Sequence, residues 1–403
     1  MSHRFIQYKF SSSQNIIYYT SIFMLVLAFS SIPTPFYHMY QTQFLFSTFT
    51  LTIIFSVYAL SLLITLVVVG AISDNIGRKP IILISLILIL LADGLFYLAD
   101  SVIFLILARS VQGIGTALAT STLCSAIIDV NKPLGSRINS FAPMAGMAVG
   151  MLISCTVVTY SRYPLKTTFL IVGLILCVSL VTLIFTTETV NKNKITLQVF
   201  KPSLRMPASS RQRFTLISSI NISLWMLSGF YLSLMPSLLT AAFGDINIWV
   251  SGSAFLFLTI FASITIIFIK KIQYDGLMKV GILLLVVGIV FLLFGVNTNR
   301  VALLFVGSAL AGIGFGICFM KEMEVLLMGV DGTVKSRVLS VFYIESYLAF
   351  CLPVLVISFA LNMYETSLTT ATNVYGIAIL CLLGVSVSKN YSCANAITIQ
   401  NSQ

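Results

Sequence analysis

Three charged residues lie close together in the stretch GAISDNIGRKP, Gly70 to Pro80, in a chain of which only 9% of residues are charged. Asp74 follows a long apolar run, so its carboxylate would stand near the negative end of a helix dipole. An acid in that position needs a cation or the N-terminus of another helix. Arg78 and Lys79 supply cations and can also anchor the loop to anionic lipid headgroups.

A second polar group interrupts an apolar run further along. The residues Arg109, Gln112, Gly113, Thr116 and Thr120 have the spacing i, i+3, i+4, i+7 and i+11, which places them on one helix face. A charge at the middle of a bilayer costs several kcal/mol unless it faces a partner or a wet cavity. Arg109 is therefore a candidate for proton coupling, with a structural ion pair as the alternative. Gln112, Thr116 and Thr120 are candidates for a substrate cavity.

Acidic residues also interrupt the apolar runs. Lys321 and Glu324 are three positions apart and can pair on one helix face, whereas Glu322 points away from Glu324. Glu345 has no charged neighbour on its own helix face. Because burial disfavours the charged form of a carboxyl group, Glu345 and Glu322 are candidates for carrying a proton. The alternatives for Glu345 are a pairing with Lys321 and a charge at a pore mouth, and Asp93 is expected to be interfacial.

The seventh apolar run combines polar and aromatic residues. Asn221, Trp225 and Ser228 share one helix face, Tyr231 lies beside it, and Pro236 is a candidate hinge. These residues suit the wall of an amphipathic cavity, although aromatic residues at helical spacing are equally compatible with ordinary packing.

The composition places all these residues in a membrane protein. The chain has 403 residues, 58% of them hydrophobic, and a mean hydropathy of +1.03, whereas soluble domains contain about 25% charged residues. Runs of about 20 apolar residues, enough to cross a bilayer as a helix, recur along the chain. The sequence predicts an all-α integral membrane protein with twelve transmembrane helices. They are expected to start near Asn15, Ser47, Pro80, Ser101, Arg137, Lys166, Phe214, Ile248, Lys279, Val301, Arg337 and Ser367.

Basic residues predict the orientation. Most of the 23 Lys and Arg residues fall in loops that share one side of the membrane, which the positive-inside rule assigns to the cytoplasm together with both termini. The first run, Ile16 to Ile32, follows two basic residues but lacks an A-x-A-like cleavage site, so a retained span is expected. The net charge of +11 is explained by this topology and does not require a nucleic-acid partner.

The two halves of the sequence repeat. QGIGTA, Gln112 to Ala117, corresponds to AGIGFG, Ala311 to Gly316, at an offset of about 200 residues. We expect an N-terminal six-helix bundle over residues 1–186, a cytoplasmic central loop over 187–213, and a C-terminal six-helix bundle over 214–403 with a short cytoplasmic tail. Six spans in each half give both halves the same orientation, so the repeat is parallel.

This organisation resembles the major facilitator superfamily of secondary transporters over essentially the whole chain. The loop signature of that family is a Gly, an acid four positions on, a further Gly and two basic residues. The chain matches it with Gly70, Asp74, Gly77, Arg78 and Lys79. The resemblance implies that Asp74 pairs with the start of the eleventh helix and acts as a latch for the outward-facing state. A topology anchor without a switching role is the alternative.

The fourth span is similar to the proton-coupling motif of the same family. The matching residues are Leu105, Arg109, Gln112, Gly113 and Gly115. Within the family, the chain most resembles bacterial drug/proton antiporters and related exporters. These antiporters usually carry Gly-Pro followed by Gly-Gly in the fifth span, a pattern from which Met151, Ile153 and Ser154 depart.

The expected function is proton-coupled transport by alternating access, most simply export of a small amphipathic or hydrophobic molecule from a site between the two halves. Proton-driven uptake of a metabolite is the first alternative. A non-transporting membrane sensor or scaffold is an alternative of another class, which the short tails and central loop disfavour.

Several further expectations follow from the motifs. An enzyme is not expected, because no Walker loop, nucleophile elbow or zinc motif occurs. No metal or cofactor is expected, since the proton gradient would supply the energy. The expected partners are a small-molecule substrate, protons and anionic headgroups, with the protein acting as a monomer in a bacterial cytoplasmic membrane.

Overall fold

The computed structural model describes residues 9–69, 73–189, 206, 208–244, 248–269, 276–330 and 332–400. Within this part of the chain, twelve helices are long and apolar enough to cross a membrane, and no strand occurs. They run Ser12–Ser31 (α1), Thr48–Val69 (α2), Arg78–Tyr97 (α3), Val102–Val130 (α4), Lys132–Tyr160 (α5), Pro164–Thr182 (α6), Ala208–Ser233 (α7), Ile248–Ile269 (α8), Leu277–Asn297 (α9), Val301–Leu327 (α10), Gly332–Tyr364 (α11) and Leu368–Gln400 (α12). The predicted fold class and number of spans are therefore confirmed.

The largest boundary differences occur at α5, α7 and α11, which begin about one and a half turns earlier than predicted. The apolar runs mark the thickness of the membrane, whereas these helices continue into polar residues. At α5 the side chain of Asn131 accepts a hydrogen bond from the N–H of Leu134 at 3.0 Å and Pro133 occupies the first turn, so polar sequence starts the helix. Because α7 begins at Ala208, the predicted central loop ends earlier than residue 213.

The contacts divide the chain into two units. The first comprises residues 1–33 and 61–202, and the second comprises residues 34–60 and 203–403. The segment 34–60 therefore belongs to the second unit, whereas the predicted division placed it in the N-terminal bundle. Its second half is the start of α2, where Phe49 and Phe55 lie with ring centroids 5.7 and 4.8 Å from Phe359 and Phe350 of α11.

In the first unit, α1 packs against α4 and α5, and α3 packs against α4 and α6. Two glycines of α5 allow its close approach to α1. A Cβ at Gly146 would lie 2.7 Å from the carbonyl oxygen of Met24, and a Cβ at Gly150 would lie 2.1 Å from that of Ala28. Small residues at a helix contact let two backbones approach closely in a membrane protein.

The second unit repeats these contacts, because α7 packs against α10 and α11, and α9 packs against α10 and α12. Gly115 of α4 lies against Ile89 of α3, and Gly314 of α10 lies against Leu285 of α9. Both glycines belong to the repeated sequences QGIGTA and AGIGFG. The sequence repeat therefore corresponds to the same helix contact in each unit.

Candidate functional site

The start of α3 is held by an acid from a distant part of the chain. Gly77 precedes the helix with φ of 108°, a conformation that favours glycine. The carboxylate of Glu188 accepts hydrogen bonds from the N–H groups of Arg78 at 2.8 Å and Lys79 at 3.1 Å. These are donors that the first turn of a helix leaves unpaired. A Cβ at Gly77 would lie 2.6 Å from Glu188 Oε2, so the conformation favours glycine and a larger residue would displace the Glu188 carboxylate.

The two basic side chains that follow Gly77 also have defined partners. Arg78 is buried, and its Nε donates to Asp129 Oδ2 of α4 at 3.0 Å. Lys79 Nζ donates to the carbonyl oxygens of Ile184 and Thr186, at 2.9 and 3.0 Å, in the turn that follows α6. A cation is favourable at the end of a helix, where carbonyl groups are unpaired. The cluster thus joins α3 to the ends of α4 and α6.

Part of the predicted latch lies outside the described residues. Gly70 is not described, and neither are the side chains of Asp74 and of Arg337 at the start of the eleventh span. The contact of Asp74 with the start of α11 stays a prediction. Of the five latch residues, Gly77, Arg78 and Lys79 lie together in the cluster at the start of α3.

Arg109 and Gln112 of α4 bind the broken end of α1. Pro33 has no N–H, so it cannot pair with the carbonyl of Phe29 four positions earlier. Gln112 Nε2 donates to that carbonyl at 2.8 Å. Arg109 Nη1 donates to the carbonyl of Ser30 at 3.1 Å and to Gln112 Oε1 at 2.7 Å. The polar pair therefore satisfies backbone groups that the proline leaves free.

Most of the polar stripe of α4 is buried in this contact. The exposed fraction is 1% for Arg109 and 0% for Gln112 and Thr116, while Thr120 is partly exposed. The guanidinium carbon of Arg109 lies 5.8 Å from the centre of the Phe96 ring, within the range of a cation–π contact. The predicted roles of these residues in coupling and in a cavity stay predictions.

Glu345 of α11 is bound by two side chains of α7. Ser218 Oγ donates to Glu345 Oε1, and Asn221 Nδ2 donates to Glu345 Oε2 at 2.8 Å. Ser346 Oγ donates to Asn221 Oδ1 at 3.0 Å and so fixes the orientation of the amide. These partners are uncharged and belong to α7, so the pattern on the face of α11 alone could not indicate them.

Glu322 of α10 has a different environment. It is 0% exposed, and neither carboxyl oxygen has a hydrogen-bond partner within the described chain. Glu345 lies within electrostatic reach of it. The predicted ion pair beside it is confirmed, since Lys321 Nζ lies 2.9 Å from Glu324 Oε2. Lys321 is therefore engaged with Glu324, and the two acids Glu322 and Glu345 have unlike surroundings.

Aromatic rings form a cluster between α7 and α11. Trp225 lies one turn after Asn221 on α7, and its ring centroid is 5.1 Å from that of Tyr347 and 5.8 Å from that of Phe350. Tyr343 extends the cluster, with its ring 6.4 Å from Tyr347. The indole N–H of Trp225 is buried and has no hydrogen-bond partner among the described residues.

The remaining residues of the predicted α7 face are less accessible. The Tyr231 hydroxyl is hydrogen-bonded to Ser308 Oγ of α10 at 2.7 Å, and Tyr231 is 1% exposed. Ser228 is also buried. Pro236 lies in the first turn of the helix Met235–Phe243, directly after the break that ends α7. Tyr231 therefore lies in the contact between α7 and α10.

Asp93 lies one turn before the end of α3 and is buried, with an exposed fraction of 4%. Its expected position at the membrane interface stays a prediction. Gly173 of α6 leaves room for it, since a Cβ there would lie 2.8 Å from Asp93 Oδ2. The acid is enclosed between α3 and α6, a contact that its position in the third apolar run did not indicate.

Comparisons with known proteins agree with this architecture. A model of the Major Facilitator Superfamily matches residues 19–352. No curated protein sequence gives a match. Among solved structures, a bacterial homologue of the human lysosomal transporter Spinster, in an inward-facing and unoccupied conformation, is similar with 15% identity and a TM-score of 0.69 over 94% of this chain and 96% of the other.

Two further structures share the fold. A POT family transporter in complex with 5-aminolevulinic acid has 13% identity and a TM-score of 0.73, over 93% of this chain and 95% of the other. The nucleoside transporter NupG has 11% identity and a TM-score of 0.69, over 93% and 99%. At these identities the likeness concerns the fold alone.

Proposed function

Because the family match covers residues 19–352, the chain belongs to the Major Facilitator Superfamily and is a multi-pass secondary transporter, and we propose that it is coupled to protons and exports a small amphipathic molecule. Membership in this family indicates a transporter and not an enzyme. Its substrate, the direction of transport and the coupling ion belong to the proposal.

The environment of Glu322 carries the proposal of proton coupling. A charged carboxylate that is fully buried and lacks a hydrogen bond is unfavourable by several kcal/mol, whereas its protonated form is tolerated. Uptake and release of a proton would therefore change the cost of burying this side chain. Such a difference lets a proton gradient favour one conformation over another during alternating access.

Glu345 and Arg109 have supporting parts in this proposal. Glu345 lies within electrostatic reach of Glu322, so its charge changes the affinity of Glu322 for a proton. Arg109 and Gln112 bind α4 to the broken end of α1 through hydrogen bonds to the carbonyls of Ser30 and Phe29. We assign Arg109 a positioning role in coupling.

Export leads over uptake because the aromatic cluster of α7 and α11 suits amphipathic molecules. The alternative of uptake is favoured by one observation. Where antiporters carry a glycine, Ser154 of α5 donates instead to the carbonyl of Ile32 at 2.8 Å. We also propose a bacterial cytoplasmic membrane, with both termini in the cytoplasm as the distribution of basic residues predicts.

Direction and coupling can be tested in proteoliposomes that contain the pH dye pyranine. Compounds that change in abundance or toxicity in a strain lacking the gene are added under an imposed pH gradient. We expect a compound to move against the proton flow, with dye and compound signals in a fixed ratio. Movement with the protons would indicate uptake, and compound flux without a proton signal would contradict the proposal of coupling.

A further inference from the structure

Among the described residues, two acids have buried carboxyl oxygens that lack a hydrogen-bond partner, and the proposed coupling uses only one of them. Glu322 of α10 is the acid assigned to coupling. The other is Asp93 of α3, which belongs to the first unit and is 4% exposed. Its Oδ1 accepts no hydrogen bond within the described chain. A buried carboxylate without donors is strongly unfavourable, so these surroundings favour the neutral, protonated acid.

The carboxyl group of Asp93 occupies the contact between α3 and α6. Gly173 of α6 faces it, since a Cβ at that position would lie 2.8 Å from Asp93 Oδ2. The acid therefore fills space that glycine leaves open. One turn further along the same contact, the buried rings of Phe96 on α3 and Phe169 on α6 stack with their centroids 5.1 Å apart. The contact beyond Asp93 is thus apolar.

The charged side chains of α4, which packs against α3, are engaged with other groups. Arg109 donates to the carbonyl of Ser30 in α1. Asp129 accepts a hydrogen bond from Arg78 at the opposite end of α3. Neither residue pairs with Asp93 in the described chain, so α4 supplies no counter-ion to it.

The titratable groups of α6 and of α3 itself do not pair with Asp93 either. Lys166 and Cys177 of α6 are exposed. Tyr97 follows Asp93 by one turn on α3 and is also exposed. Lys79, in the first turn of α3, donates to carbonyl oxygens after the end of α6. Within the described residues, the helices around Asp93 therefore offer its carboxylate no paired cation.

We propose that Asp93 is a second proton-binding site, at which a proton neutralises the carboxyl group inside the contact between α3 and α6 and keeps that contact closed. The site goes beyond the proposed function, because the coupling assigned to Glu322 does not use it. Loss of the proton would leave an unpaired charge in an apolar contact. Rising pH should therefore loosen the packing of α3 against α6.

The direction of the pH effect on stability follows from proton linkage. In an unfolded chain, an aspartic acid releases its proton at about pH 4. The native structure retains the proton of Asp93 above that pH, so unfolding releases one proton and rising pH favours the unfolded state. Asp93→Asn is neutral in both states and removes this contribution. Relative to Asp93→Asn, the unaltered protein should lose stability as the pH rises.

Infrared spectroscopy detects the proton directly. The C=O stretch of a protonated carboxyl group lies above the absorption of the peptide carbonyls, whereas a carboxylate does not absorb there. Spectra of the full chain are recorded at neutral pH in a detergent without ester or acid groups. Glu322→Gln is the starting protein, so that Glu322 does not contribute. We expect adding Asp93→Asn to this variant to remove a carboxyl band, and unchanged intensity would overturn the inference.

Melting temperatures in buffers from mildly acidic to mildly alkaline pH test the linkage. We expect the difference between Asp93→Asn and the unaltered protein to grow in favour of Asp93→Asn as the pH rises. Asp100→Asn is the matched control, because it changes an exposed aspartate that follows α3, and it should keep the pH profile of the unaltered protein. A profile of Asp93→Asn that runs parallel to that of the unaltered protein would overturn the inference. Asp93→Ser replaces Asp93→Asn, with the same expected results, if size exclusion shows that Asp93→Asn does not fold.

A second pair of substitutions tests the position of the carboxyl group. Gly173→Ala is expected to lower the melting temperature, because the added Cβ would press on Asp93 Oδ2. In an Asp93→Ala background the carboxyl group is absent, so the same substitution should have a smaller effect. Equal effects of Gly173→Ala in both backgrounds would contradict the enclosure of the acid at this glycine and overturn the inference.

The transport assay separates this site from coupling. Gradient-driven accumulation in proteoliposomes should survive in Asp93→Asn, because the site lies outside the proposed coupling. Loss of accumulation in a folded Asp93→Asn protein would overturn a role confined to the contact between α3 and α6. The infrared and melting measurements need no substrate, so they decide whether Asp93 holds a proton even if the coupling proposed for Glu322 fails.

Discussion

At the scale of single residues, the hydrogen-bond donors around an acidic side chain determine whether its charged form is stabilised. Glu188 satisfies two N–H groups at the start of α3, while Glu322 has no hydrogen-bond partner in the described chain. The first acid is stabilised in its charged form by donors, and the second is poorly placed to hold a charge. Glu188 therefore has a structural role, and we propose proton transfer by Glu322.

Glu188 caps α3 by accepting hydrogen bonds from the N–H groups of Arg78 and Lys79. This cap predicts that a Gly→Ala substitution has different effects at two glycines. Gly77→Ala places a side chain at positive φ against Glu188 and is expected to destabilise the protein by about 1–3 kcal/mol. Gly94→Ala is the control, because a Cβ at Gly94 meets nothing within 4 Å in the interior of the same helix. It should be neutral or stabilising by up to about 1 kcal/mol.

Thermal unfolding followed by the fluorescence of a thiol-reactive dye measures both variants. A lower melting temperature is expected for Gly77→Ala alone. Equal melting temperatures for the two variants would contradict the importance of Gly77 for the contact between Glu188 and the start of α3. A Glu188→Gln variant should lie between them, since the amide oxygen still accepts a hydrogen bond but the negative charge at the helix start is lost.

At the scale of helices, the proline at the end of α1 leads to a polar contact with α4. Pro33 leaves the carbonyl of Phe29 unpaired within α1, and Gln112 of α4 takes the place of the missing donor. This contact explains why a buried polar stripe follows Arg109 in an apolar helix. The stripe was evident in the sequence, but its partner on α1 was not.

A double-mutant cycle tests whether the Gln112 amide replaces the N–H group that Pro33 lacks. Gln112→Ala alone should cost about 1–3 kcal/mol, because it leaves the buried carbonyl of Phe29 without a hydrogen bond. Pro33→Ala restores an N–H at position 33 that can pair with Phe29. The cost of Gln112→Ala should therefore be smaller in the Pro33→Ala background.

Melting temperatures of the two single variants and the double variant supply the coupling energy. Ser110→Ala is a control on the same helix, since that hydroxyl donates to Ile106 within α4. If the stability changes of Gln112→Ala and Pro33→Ala add strictly, Gln112 does not replace the missing N–H group of Pro33.

At the scale of the whole molecule, the number of spans could be predicted from the sequence, whereas most contacts between side chains of different helices could not. Apolar runs gave the twelve spans, because a bilayer sets the length of any helix that crosses it. The pair of Lys321 and Glu324 was predictable from its spacing. The contacts of Arg78 with Asp129 and of Glu345 with Ser218 were not, since these partners lie 51 and 127 positions away along the chain.

The distribution of basic residues predicts the orientation of the whole chain. In a variant without its seven cysteines, single cysteines are introduced into residues 187–213 and 244–247. An impermeant thiol reagent added outside intact cells should label the second segment and spare the first, because the positive-inside rule places residues 187–213 in the cytoplasm. The reverse pattern would show that the orientation is wrong.

The central claim is that this transporter couples substrate movement to a proton carried by Glu322. The most direct measurement compares gradient-driven accumulation with substrate exchange in proteoliposomes of Glu322→Gln, with Glu324→Gln as the matched control two positions away. We predict that Glu322→Gln loses accumulation and keeps exchange, because its neutral side chain imitates the protonated acid, while the control keeps both. Accumulation against a gradient by Glu322→Gln, with unchanged pH dependence, would contradict the claim.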